Sequence, residues 1–252
     1  EIRSKATIDK LYKTKSLTTA VINTESTFKT MVYTMLNNIQ SRKKEMPNNL
    51  AFLPLYFLGM SKNRIFCKDE LDKKFDVDLS NYLRVKLQRM EINEAMRFIL
   101  PNIYPIYQVY EDNSIGNYDE NGDLNLPQPI GNSIEALENG GLFLIDNGFL
   151  LIIFVRKNAS PNIMTDLFGV EDISFITENV SEETVFQNLN DTKQRIMNII
   201  DSFRGWKSIY QNLIFSFEGT NGEKIAYESL VENNCCKWYP CDYMTFYKKM
   251  IN

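Results

Sequence analysis

At 252 residues the chain is long enough for one large domain or two small ones. It carries 28 Lys and Arg against 32 Asp and Glu, a net charge of −4, so nothing in its balance draws it to nucleic acid or an anionic membrane. Its hydrophobic content, 44 %, is that of a globular protein, and no apolar run reaches the eighteen or so residues of a membrane span.

The chain has no His. His is the commonest general base and metal ligand, so Ser-His and Cys-His nucleophile pairs, HExxH sites and most catalytic zinc sites are excluded. The four cysteines, Cys67, Cys235, Cys236 and Cys241, lack the paired C-x2-C spacing of a zinc knuckle and read as free thiols in a reducing compartment. Glu1, with no Met before it and a helical pattern close behind, predicts a fragment excised from a longer protein.

In chain order, residues 4–45 read as two helices. Phe28, Met31, Val32, Met35, Leu36 and Ile39 recur at three- and four-residue steps, and Ser16 or Thr18 caps the second helix after a break. Arg42-Lys43-Lys44 falls in its last turn, where cations suit the helix dipole. A third helix spans 50–60, its regular part opening near Leu53 because Pro54 is tolerated only in the first turn. Residues 61–77 are charged and loop-like. Asp78 caps a fourth helix with Leu79, Tyr82, Leu83, Leu87 and Met90, and a fifth over 93–99 stops before Pro101.

After residue 103 the character changes. Residues 103–110 read as extended, with Pro105 confining them to an edge or a start. The Asp- and Asn-rich stretch 111–125 fails as a calcium loop. Its Gly122 follows Asp119 at the fourth position rather than the sixth, and no Glu stands at the twelfth. It reads as a solvated loop. Ser133 caps a short helix over 134–138. Stretch 140–156 then puts two apolar runs about Asn147-Gly148, a strong hairpin signal, with left-handed angles expected at Gly148 and, if the turn is type I′, at Asn147 as well. The second run, 149–155, has no polar residue, so it predicts a central strand covered on both faces. Ser160-Pro161 opens a helix that Gly169 stops, and Asn190 or Asp191 caps a longer one to Phe203. A strand over 213–217 and helices over 225–231 and 242–251 close the chain. The last helix is aromatic on one side, with Tyr243, Phe246, Tyr247 and Met250.

Five short motifs stand in order: Leu53-Pro54-Leu55-Tyr56, Pro101-Asn102-Ile103-Tyr104-Pro105-Ile106, Leu126-Pro127-Gln128-Pro129, Gly141-Leu142-Phe143-Leu144-Ile145-Asp146-Asn147-Gly148 and Phe168-Gly169-Val170. Together they resemble the C-terminal third of the cargo-adaptor subunit family of the COPII vesicle coat. The resemblance implies an α+β chain: an all-α helical domain over 1–103, then an α/β gelsolin-like domain over 104–239 with a central mixed sheet flanked by helices. Residues 240–252 are expected to dock back on the helical domain, near the 50–60 helix. The family commonly has Gly after the strand where this chain has Val155-Arg156.

By the same resemblance, the function is that of a structural and interaction part of a coat, supporting ER-to-Golgi vesicle formation and cargo selection, in the cytoplasm on ER-derived membranes. Its expected partners are other coat subunits and, through upstream domains, membrane cargo and the GTPase-activating sister subunit. The sister's arginine is not carried over, because 179–188 is acidic and contains no Arg. The alternative is an actin-binding gelsolin-type module. No catalytic, cofactor-binding or metal-binding residue is assigned, no cofactor is expected, and the chain is not expected to be an enzyme.

Overall fold

The computed structural model describes residues 2–38, 48–66, 77–176, 180–205, 207, 210–236 and 239–251. Ile39, the basic stretch Arg42-Lys43-Lys44, Pro47, Cys67 and residue 179 of the acidic stretch lie outside the described residues. The chain divides into two compact units, Glu1–Leu100 with Val231–Asn252, and Pro101–Leu230. These changeovers differ from the 103 and 239 read from the sequence, and local bonding accounts for both. The Pro101 carbonyl accepts from Asn132 Nδ2 at 2.8 Å, which ties Pro101 to the second unit. Lys62 donates to the carbonyls of Val231, at 2.6 Å, and Asn233, which ties them to the first.

The first unit is helical. Helix α1 (Ile2–Thr14) packs on α2 (Leu17–Asn38), and Lys15 between them takes a left-handed φ of 52°. Ser16 caps α2, its hydroxyl accepting from Thr19 N at 3.3 Å. Helix α3 (Leu53–Lys62) starts where Pro54 allows it, at its first turn. Helices α4 (Val77–Arg89) and α5 (Ile92–Ile99) follow, the second with a capping box of Glu91 and Glu94. At Gly59 a Cβ would sit 2.3 Å from the Ile99 carbonyl oxygen, so α3 and α5 approach backbone to backbone. Helix α10 (Tyr243–Ile251), capped by Asp242, belongs to this unit and packs on α2 and α3. Phe28 of α2 stacks on Phe57 of α3 with centroids 3.8 Å apart, and Phe246 of α10 lies 6.0 Å beyond Phe57.

The second unit is built on a four-stranded sheet ordered β1 (Asn102–Tyr104), β2 (Leu142–Asp146), β3 (Leu150–Val155), β4 (Asn212–Phe217). The first two pairings are antiparallel and β3–β4 is parallel. The return from β3 to β4 carries α6 (Pro161–Phe168), α7 (Glu182–Phe186) and α8 (Asp191–Arg204). Leu151, Ile153 and Val155 face Ile163, Met164, Ile196 and Ile199 on one side; Ile152 and Phe154 face Ala226 and Leu230 on the other. Both sides of β3 are therefore covered, which is why its sequence is apolar without alternation. Ala226 belongs to α9 (Glu223–Glu228), which starts and stops before the predicted 225–231. The α+β architecture with a mixed sheet flanked by helices is thus the observed one.

Three local expectations are corrected. Residues 103–110 are not one extended segment: Pro105 lacks an N–H for the ladder, so β1 ends at Tyr104 and a 3₁₀ turn follows over Ile106–Tyr110. The 134–138 helix is a single 3₁₀ turn, Glu135–Leu137. The hairpin turn is shifted by one residue. The register pairs Asp146 with Leu151 and Asn147 N donates to the Leu150 carbonyl at 3.2 Å, leaving Gly148 and Phe149 as the central residues. Gly148 has φ 74°, while no non-Gly residue of the hairpin has positive φ. Glycine in the first central position is the type II′ arrangement rather than type I′.

Candidate functional site

Two polar networks bracket β3, and both rest on residues that the chain's pattern marks as exceptions. At the hairpin end, Asp146 closes an otherwise apolar strand and is fully buried. Its Oδ2 lies 3.0 Å from Lys207 Nζ, and its Oδ1 accepts from Gln211 Nε2 at 2.7 Å and from Gly148 N at 2.9 Å. Lys207 also donates to Gln211 Oε1. Lys207 follows α8 and Gln211 precedes β4, so the pair carries the end of α8 and the start of β4 onto the hairpin. A carboxylate with a cation and two further donors is a satisfied buried group, and a lone one there is not.

At the other end, Arg156 follows β3. Its Nη1 donates to the Leu137 carbonyl at 2.6 Å and its Nη2 lies 3.1 Å from Glu218 Oε1. Glu218 Oε2 accepts from Lys157 N at 2.8 Å, and Tyr227 Oη donates to Oε1 at 3.3 Å. Burial pushes the Glu218 carboxyl upward, but the Lys157 amide and the Arg156 guanidinium outweigh it and hold it below the usual range. Arg156 is thus bound on both sides. A guanidinium engaged by a carbonyl and a carboxylate is a clamp between β3 and the end of β4, not a group offered to a ligand.

The loop 111–125 is pinned rather than merely solvated. Arg195 of α8, buried, donates through Nη1 to the carbonyls of Asp112 and Ile115 at 3.2 and 3.4 Å. Asn198 Nδ2 donates to the Gly116 carbonyl at 2.9 Å. At Gly116, φ 80°, a Cβ would stand 2.7 Å from Arg195 Cβ, so the loop lies directly on the helix. Hydrogen bonds from the amide of Asp123 and then of Asn121 hold the Asp119 carboxyl below its usual value. It serves as a turn acceptor. Among the described residues no group of three or more Cys, Asp or Glu is disposed to hold a metal ion.

In the helical unit, burial pulls Lys62 down from its usual value, against an upward influence of Cys236, Cys241 and Cys235. Cys236 Sγ donates to the Lys62 carbonyl at 3.7 Å. This constellation joins α3 to the segment that leads toward α10. No local signal marks it, because a lysine in a helix is ordinarily solvated. For Asp146 a signal did exist: one carboxylate in an apolar run demands a buried donor set, although its partners, sixty-odd residues on, carry no mark.

The α6–α7 side of the sheet has an open cleft of about 290 Å³. Leu167 and Phe168 of α6, Val170 and Phe175 after it, and Val180 and Val185 before and within α7 line the cleft. Helix α7 is absent from the sequence reading. Its five residues are too few to show a period, and only Ser181, accepting from Thr184 N at 3.2 Å, marks its start.

Comparison with known proteins bears on this geometry. A family model described as Gelsolin repeat matches residues 123–197, from the pinned loop through β2, β3, α6 and α7 into α8. The chain is 27 % identical over 179 residues to the protein transport protein SEC24-1 of Naumovozyma castellii, covering 70 % of this chain and 19 % of that protein. It is 30 % identical over 161 residues to SEC24-1 of Candida glabrata, covering 64 % of this chain and 17 % of that protein. The crystal structure of the human COPII-coat protein Sec24c superposes on 93 % of this chain and 28 % of that chain, with a TM-score of 0.74 at 20 % identity, which shows a common fold. The chain spans less than a fifth of the length of the curated relatives it matches. The resemblance carried by the five short motifs therefore holds: the chain is similar to the Sec24 protein transport proteins over about two thirds of its length, and its residues 123–197 match a gelsolin-repeat model.

Proposed function

We propose that the chain is a non-catalytic structural and interaction part of a COPII coat cargo-adaptor subunit, supporting ER-to-Golgi vesicle formation and cargo selection. The observation that carries this reading is sequence identity of 27–30 % to Sec24 transport proteins across roughly two thirds of the chain. The site chemistry agrees with it. Asp146, Lys207, Arg156 and Glu218, the ionic groups in the sheet's networks, hold elements together. Its partners in this reading are other coat subunits and, through upstream domains, membrane cargo and the GTPase-activating sister subunit. The assembly sits in the cytoplasm, peripheral on ER-derived vesicle membranes. Among the described residues no helix is long and apolar enough to cross a membrane.

The test is to tag the parent protein at its own locus and image it with a marker of ER exit sites. Coincidence in discrete puncta is the expected result, and a diffuse or filament-associated distribution overturns the reading. A second reading, an actin-binding gelsolin-type module, draws on the gelsolin repeat at 123–197. Co-sedimentation of the purified chain with filamentous actin decides it; the coat reading expects the chain to stay in the supernatant.

A further inference from the structure

The two edges of the four-stranded sheet are built differently. At one, β1 turns Ile103 outward, and the Ile103 carbonyl accepts from Ile130 N at 2.9 Å. At the other, β4 runs beside β3 in unbroken register from Asn212 to Phe217. Glu218 N donates to the Val155 carbonyl at 2.9 Å, which fixes the alternation along β4. Residues 212, 214 and 216 turn their amides and carbonyls to β3, and residues 211, 213, 215 and 217 turn theirs outward. Two of the outward carbonyls are taken. Gln211 accepts from Arg204 Nε at 3.0 Å, and Phe217 accepts from Thr220 N at 3.2 Å and from Thr220 Oγ1 at 2.8 Å. Between them, the amides and carbonyls of Leu213 and Phe215 meet no donor or acceptor among the described residues. Proteins usually protect such an edge with a charge, a proline or a bulge. Asn212-Leu213-Ile214-Phe215-Ser216-Phe217 has none of these, and residues 212–215 are exposed or half-exposed.

We propose that this edge pairs with the β4 edge of a second copy of the chain, joining the two sheets edge to edge about a two-fold axis. The open groups are complementary to themselves. In an antiparallel pairing with Ile214 opposite its own copy, Leu213 stands opposite the partner's Phe215, and Phe215 opposite the partner's Leu213. Each of these two pairs exchanges two N–H···O bonds, so every open amide and carbonyl of both residues is satisfied. The closure of both ends favours a second copy over an unrelated strand. The open run is centred on one residue, and a two-fold axis through Ile214 leaves no group over. The side chains agree with this register. Ile214 meets Ile214 at the axis, where the close spacing of a non-hydrogen-bonded pair favours apolar contact, and Leu213 meets Phe215. No charged side chain stands in 212–217, so the paired strands oppose no like charges. The inference rests on this unit's own sheet and holds or falls independently of the coat reading.

Sedimentation equilibrium of the purified 252-residue chain tests the pairing. Over about 1–100 μM it is expected to show a monomer–dimer equilibrium that shifts to monomer on dilution. Ile214→Lys sets two ammonium groups face to face at the axis and is expected to weaken the dimer by about tenfold or more with unchanged circular dichroism, whereas Ile214→Val keeps it. The register is read separately by cross-linking under oxidised glutathione. Ile214→Cys is expected to give a disulfide between the two copies at position 214, mapped by mass spectrometry, because opposed Cα atoms of a non-hydrogen-bonded pair stand about 4.5 Å apart, within disulfide reach. Asn212→Cys lies opposite the partner's Ser216 and is expected to give little. If Ile214→Lys fails to fold, the cross-link decides alone. Three results overturn the proposal: a chain that stays monomeric through the whole range; a dimer that Ile214→Lys leaves intact, which places the contact on another face; and cross-linking as efficient at 212 as at 214, which denies the register.

Discussion

Replacing Lys207 by Met tests whether the Asp146 network holds the second unit together. Asp146 is fully buried, and the Lys207 side chain is 5 % exposed. The substitution keeps the apolar stem and removes the ammonium that sits 3.0 Å from Asp146 Oδ2. The carboxylate retains the Gln211 and Gly148 donors but loses its counter-charge. Removing one member of a buried pair typically costs about 3–5 kcal/mol, because the other charge stays behind. The retained donors place the expectation near the lower bound, at roughly 3 kcal/mol.

Because the chain has two units, a single unfolding midpoint is not the right observable. Hydrogen exchange of a peptide spanning β2 and β3 isolates the sheet. A loss of about 3 kcal/mol raises its exchange roughly a hundredfold where those amides open with the whole unit. The double variant Asp146→Asn/Lys207→Met removes the stranded charge and is expected to recover at least about 1 kcal/mol. If Lys207→Met leaves sheet exchange unchanged, or the double variant is worse than the single one by the full cost of Asp146→Asn, the network is ornament and the argument fails.

Three further expectations follow from the same geometry. Gly148→Val forces a β-branched residue to φ 74° in the hairpin and is expected to destabilise the second unit by about 1–3 kcal/mol, read by urea unfolding monitored through sheet exchange. The Glu218 carboxyl is held below its usual value, so its stabilisation is fully present above the ordinary Glu pKa of about 4.3 and is lost as pH falls through the lower folded value; Glu218→Gln should flatten that acid limb in a stability series over roughly pH 2–6. Phe246→Ala removes a ring 3 % exposed that lies 6.0 Å from Phe57, and should cost about 3–5 kcal/mol with faster exchange in α2 and α3; unchanged exchange there refutes the packing argument.

The elements legible in the sequence are those whose signal is local. Ser160-Pro161 and Gly169 bracket α6 because capping, φ restriction and the left-handed stop are each written in one or two residues. The unbroken apolar run of 149–155 announced a doubly covered strand for the same reason. What escaped depended on partners distant in sequence. Whether the hairpin turned at Asn147-Gly148 or Gly148-Phe149 was decided by the β2–β3 register, since either choice offers a glycine where φ must be positive. Asn147 then found another use: its Oδ1 accepts from the amides of Phe149 and Leu150 at 3.0 and 2.6 Å and closes the turn from the side.

The same distinction separates the polar groups that fix the fold from those left to solvent. Buried ionic residues in the second unit come with their partners: Asp146 accepts from Lys207 and Gln211, and Arg195 donates to the carbonyls of the 111–125 loop. The carboxylates of 158–192 divide differently. Glu182 is answered by Arg204, and Asp172 accepts from Ser174 N at 2.8 Å to start a turn, whereas Glu171 and Glu183 face solvent. The acidic excess itself is spread along the unit: residues 101–155 hold eight Asp and Glu and no Lys or Arg, and 158–192 hold seven and none. Like charges so distributed repel one another and add nothing to the stability of the unit, so it is the paired carboxylates, not the excess, that fix the fold.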